Sequence, residues 1–123
     1  MIKAIWYFDV ISPFAYLQAM RLDQLPDDVS LVCKPTLFAG YLNHWGHLGP
    51  AEIEPKKVFI FRQCAWRARH TGVAFNLPPN HPFNPLRALR LVEAPGGDLK
   101  AVFERRYGYC CGRFWRADLR HQR

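Results

Sequence analysis

Residues 5–8 (Ile-Trp-Tyr-Phe) form an unbroken apolar and aromatic run suited to a buried strand. Polar side chains return at Asp9 and Ser12, and the period then changes. Ala15, Ala19, Leu22 and Leu25 recur at i, i+4, i+7 and i+10, a single stripe that predicts a helix to about Leu25 lying against a sheet. Ser12 reads as the N-cap of that helix and Pro13 as its first residue, where a missing N–H costs nothing. Pro26-Asp27-Asp28 is a turn, and Val29 to Pro35 alternates like a second strand. A helix between two such strands predicts a right-handed βαβ unit with parallel strands.

From Thr36 onward the pattern turns helical, broken by loops. Asn43 to Pro50 contains Gly46, Gly49 and two histidines, His44 and His47. Pro55 opens a long helix through about His70, with Val58, Phe61, Ala65 and Ala68 on one face and Gly72 as its stop. Leu77 to Pro82 is a proline-stiffened loop. Asn84 caps and Pro85 opens a third helix, which ends at Pro95-Gly96-Gly97. Asp98 caps a fourth, running at least to Phe103. One βαβ unit followed by helices is not a closed architecture, because a two-stranded sheet leaves both edges open.

Composition narrows the class. A chain of 123 residues, 50% hydrophobic and 22% charged, is globular and long enough for one modest core. No apolar run approaches the ~20 residues of a membrane span, and the N-terminus lacks the features of a signal peptide. Cys33, Cys64, Cys110 and Cys111 make no C-x-x-C pair. These features predict a reduced, cytoplasmic protein with no membrane partner. The net charge of +7 is uneven. Six Arg against Glu104 and Asp118 give residues 104–123 a charge of +4, while the 11 basic and 8 acidic residues of 1–103 net only +3. A nucleic-acid partner would therefore rest on the tail alone, and none is expected.

The segment Phe8-Asp9-Val10-Ile11-Ser12-Pro13-Phe14-Ala15-Tyr16-Leu17 resembles the opening motif of kappa-class glutathione transferases and 2-hydroxychromene-2-carboxylate isomerases. These belong to the disulfide-oxidoreductase-A branch of thioredoxin-like folds. Leu48 to Lys56, preceded by Asn43, is similar to the bacterial isomerase segment, as is Pro79 to Leu86 with Arg87 to Leu91. The likeness covers roughly residues 3–103. It implies an α/β chain with a thioredoxin-like βαβ unit over 1–35 and an inserted helical domain over 36–103. Nothing after Phe103 reads as the returning strands and helix of that fold, so its C-terminal half is expected to be missing. Residues 104–123 stay unassigned; a shifted reading frame, a boundary in the chain or divergence would each explain their Arg-rich composition.

Thioredoxin-like oxidoreductases carry Cys at the helix start and three residues on; here those positions are Ser12 and Ala15. Neither supplies the thiolate that disulfide exchange needs. The resemblance implies instead that Ser12, followed by Pro13, donates its hydroxyl hydrogen to the thiolate of glutathione acting as cofactor. The same resemblance places Asn43 and Lys56 at glutathione or a substrate carboxylate, and Asn84 near a small aromatic substrate. Trp45 suits either an apolar substrate cleft or a packed loop. Each position also has a plainer reading: Ser12 and Asn84 as helix caps, Lys56 as a solvated surface charge. His44 and His47 have H-x-x-H spacing without an evident third ligand, so no metal is expected. The implied activity is glutathione-dependent isomerisation of 2-hydroxychromene-2-carboxylate-type intermediates of aromatic breakdown, with a homodimer compatible. The alternatives are a kappa-type transferase, an inactive relative, and a basic binding module built on the tail.

Overall fold

A computed structural model describes residues 1–108 of the chain. Two strands, β1 (Ile2–Phe8) and β2 (Val29–Pro35), pair in parallel, with Ile2 opposite Val29 and Phe8 opposite Pro35. The expected βαβ order is present, with helix α1 (Pro13–Ala19) between the strands. β1 is less buried than its apolar run implies. Phe8 is buried, but Ile5 and Tyr7 are more than half exposed, because successive side chains alternate between faces and only one face is packed against helices.

The first helix departs from its predicted length. It ends at Ala19, and Leu22–Gln24 form a separate 3₁₀ turn. Leu25 is extended, as expected of a residue preceding proline, whose ring disfavours helical geometry there. The buried face of α1 is therefore Pro13, Tyr16, Leu17 and Ala19 rather than the stripe through Leu22 and Leu25.

Helix α2 (Phe38–Trp45) stops at Gly46, whose positive φ of 65° suits the left-handed cap only glycine adopts freely. The long α3 (Glu54–Thr71) buries Phe61, Cys64 and Ala68, a face turned slightly from the predicted one and leaving Val58 exposed. Helix α4 (Leu86–Glu93) starts one residue later than predicted, with Asn84 Oδ1 accepting from Leu86 N–H at 3.0 Å. Asp98 caps α5 (Leu99–Phe103) through Ala101 N–H at 3.1 Å, as expected.

The chain does not break at 103. Glu104–Gly108 continue α5 as a π-helical turn, and Tyr107 is fully buried beside Tyr16 and Phe103. Its ring stacks 5.2 Å from Tyr16. The core thus joins the strand end (Phe8, Val10), α1, α3, α4 and the first residues of the Arg-rich stretch. The remainder of that stretch, with Cys110 and Cys111, lies outside the described residues.

Candidate functional site

Where β1 ends, the polypeptide must turn sharply to enter α1, and a buried carboxylate organises the turn. Asp9 Oδ1 accepts from Ile11 N–H at 3.1 Å, and Oδ2 accepts from Phe38 N–H at 2.7 Å, tying the turn to the start of α2. Ser12 N–H donates to the Asp9 carbonyl at 3.1 Å. Asp9 is only 6% exposed, and burial raises its carboxyl above the usual range despite the N–H donors that favour the anion.

The carbonyl preceding Ser12 is held from two distant parts of the chain. Tyr107 O–H donates to Ile11 O at 2.7 Å, and His81 Nε2 lies 2.8 Å from the same oxygen. That contact assigns the Nε2–H tautomer to His81, leaving its buried Nδ1 without a partner. Burial lowers the His81 pKa. It also raises the phenol of Tyr107, reinforced by nearby Cys64 and Asp9. The phenol of Tyr16, pushed up to about 12 mainly by burial, donates to the Ala74 carbonyl and fixes α1 to the segment after α3.

Ser12 caps α1 as predicted: its Oγ accepts Ala15 N–H at 3.2 Å. An oxygen that accepts one bond keeps its own hydrogen free to donate. The side chain borders a cleft of about 730 Å³, within the usual span for small-molecule sites. Trp6, Phe8, Phe14, Phe38 and Tyr41 supply aromatic walls, with Gln18, Thr36 and Arg67 among the polar groups.

Of the candidate catalytic and binding residues named from the sequence, Ser12 alone lines this cleft. Pro13 is buried behind it at the first position of α1. Asn43 and Trp45 sit at the exposed end of α2, where Trp45 packs edge-on to His44 at 5.0 Å. Lys56 is exposed in the first turn of α3, and Asn84 is exposed before α4. The structure does not gather these four at Ser12. Sequence reasoning overlooked His81 and Tyr107. His81 stands inside a motif already singled out, Pro79-Asn80-His81-Pro82; Tyr107 stood in a stretch left unassigned.

Among the described cysteines, none supplies a thiolate near Ser12. Cys64 is fully buried, and burial pushes its thiol up to about 12; burial also raises Cys33. Among the described residues no group of three metal-ligating side chains occurs, and no helix is long and apolar enough to cross a membrane.

Comparison with known proteins gives two findings. The family described as DSBA-like thioredoxin domain matches residues 4–109. A solved structure of a 2-hydroxychromene-2-carboxylate isomerase superposes with a TM-score of 0.62 at 21% identity, covering 85% of this chain. This chain spans 55% of that structure's chain, and at such identity the likeness shows the fold alone. No curated protein matches.

Proposed function

The chain belongs to the family of DSBA-like thioredoxin domains, and from that premise we propose that it is a glutathione-dependent isomerase site of the 2-hydroxychromene-2-carboxylate type, with Ser12 as its catalytic residue. One observation carries the reading: a serine hydroxyl, with its hydrogen free, stands at the start of α1 on the wall of an aromatic cleft. Ala15 stands three residues on, so the site lacks both thiols of a disulfide oxidoreductase. Glutathione, when bound, supplies a nucleophilic thiolate for reversible addition to a conjugated carbon.

The chain's own part is to keep that sulfur ionised and in place. A free thiol has a pKa near 8.5, so little of it is ionised at neutral pH. Donation from Ser12 Oγ favours the anion by about 1 kcal/mol, roughly fivefold in thiolate population. α1 is only seven residues long, so the hydroxyl rather than the helix is the group the proposal rests on. Asp9, His81 and Tyr107 are positioning residues: they pin the backbone on either side of Ile11 and so hold the Ser12 hydroxyl toward the cleft. The resemblance implies Asn43 and Lys56 at glutathione or a substrate carboxylate and Asn84 near the substrate. Neither these three nor Trp45 line the Ser12 cleft, so the proposal rests on Ser12.

The test is the ionisation of glutathione thiol, followed by thiolate absorbance against pH in the presence of the protein. The expected result is a lowered thiol pKa that Ser12→Ala raises by roughly 0.7 unit, from about 1 kcal/mol at 1.36 kcal/mol per unit. Isomerisation rate should fall far more than glutathione affinity, since the hydroxyl touches only the sulfur. Full rate with an unchanged pH profile in Ser12→Ala would reduce Ser12 to a helix cap. A second reading, a relative without catalysis, draws support from the cleft's lining, which lacks Asn43, Trp45, Lys56 and Asn84; absence of any thiol shift in the unmutated chain would favour it.

A further inference from the structure

Arg67 of α3 borders the Ser12 cleft and has no part in activating a thiol. Its guanidinium carbon lies 5.6 Å from the centroid of the Phe14 ring, a cation over an aromatic face. The ring, rather than an ion pair, sets its position, for Arg67 has no carboxylate partner among the described residues. The other charged residue on the cleft wall is Asp9. Its two oxygens already accept from Ile11 and Phe38 N–H groups, and it is nearly inaccessible. Arg67 is therefore the uncompensated charge of a cleft whose remaining wall is largely aromatic.

We propose that Arg67 is the specificity-determining residue of this cleft, pairing with the carboxylate of a planar aromatic acid. A guanidinium offers forked, coplanar donors that match a carboxylate, and the aromatic walls offer faces on which a flat ring stacks. The inference deepens the isomerase reading and rests on it for placing the ligand beside Ser12. A carboxylate also belongs to glutathione itself, so the two sources must be separated. The aromatic acid is favoured because six of the twelve residues lining the cleft carry aromatic rings on which a flat ring stacks.

The experiment is an NMR amide titration of the chain with 2-naphthoate, with 2-naphthalenemethanol as its uncharged counterpart, and separately with glutathione. The unmutated chain should bind the acid about tenfold or more tighter than the alcohol, and Arg67→Gln should bring the two within about twofold. Affinity for the alcohol should not change, and Arg67→Lys should keep part of the preference. Because Arg67 is exposed, the Gln variant should give an unchanged backbone spectrum away from the cleft. The amides of Ala15 and Thr36 should move with the acid. Arg67 also borders a smaller groove of about 320 Å³ lined by Trp66 and His70, so shifts confined to Thr71 and His70 would overturn the proposal. So would a preference that survives in Arg67→Gln, no binding of the acid, or a loss in Arg67→Gln seen for glutathione alone. The naphthoate arm contains no thiol, so a failed thiol titration leaves it standing, and its own failure leaves Ser12 untouched.

Discussion

The turn from Asp9 to Ser12 is held by α2's first N–H, by His81 and by Tyr107, whereas α2 itself, bordering the same cleft, buries none of its residues. Trp45 at its end is 69% exposed and Tyr41 57%. The difference lies in where each segment finds partners. The turn carries polar groups that cannot stay unpaired when buried, so the fold recruits donors from 70 and 96 residues away in sequence. The α2 wall carries rings, Phe38 and Tyr41, that stay exposed. One side of the cleft is thus pinned by hydrogen bonds from distant residues, and the other presents exposed aromatic surface.

The sharpest way to break this contrast is to remove one residue from each side. Tyr107→Ala empties a fully buried site and should cost about 3–5 kcal/mol, a large part of a small domain's stability. Tyr41→Ala on the α2 wall should stay within about 0.5 kcal/mol. Urea unfolding midpoints of the two variants measure the gap, and comparable losses would mean that α2 is packed after all.

Asp9→Ala comes next. It strands the N–H groups of Ile11 and Phe38, and each orphaned donor costs about 1–3 kcal/mol, offset in part by the loss of a buried carboxylate. A net loss of about 1–3 kcal/mol in urea unfolding is expected. An unchanged midpoint would show that the turn holds itself without its carboxylate.

The smallest effect is a pH dependence through His81. Its folded pKa is lowered by burial, so the folded chain resists a proton that the unfolded chain binds near pH 6.5. Its contribution is complete above about pH 6.5 and is lost as pH falls below that value, levelling off beneath the folded pKa. Asp9, whose pKa is raised, works the other way in more acid solution: the folded chain takes its proton first, and stability recovers as pH falls from the folded pKa toward 3.8. His81→Gln keeps a donor for the Ile11 carbonyl without titrating. The difference in melting temperature between the two chains should therefore vary between pH 7.5 and pH 5, a span bracketing the ordinary His value of about 6.5. A constant difference would show that His81 binds its proton equally in the folded and unfolded chains, with no shift on folding.

Much of this arrangement was legible in the chain because it depends on neighbours in sequence. The aromatic run, the Ser12-Pro13 cap, the alternating second strand, Gly72 after α3 and Asp98 before α5 are local signals, and each stands where it was expected. The end of α1 was misjudged because the stripe through Leu22 and Leu25 continued past the point where Pro26 forbids a helix. Only the tertiary structure decided that Tyr107 belongs to the core, that His81 and Tyr107 share one carbonyl, and that Arg67 rather than Lys56 lines the cleft that Ser12 borders. Periodicity marks which residues of an element face inward, but not which distant donor arrives opposite a given backbone oxygen. That choice follows from how α1, α3 and the turn after α5 pack together, and no spacing along the chain encodes it.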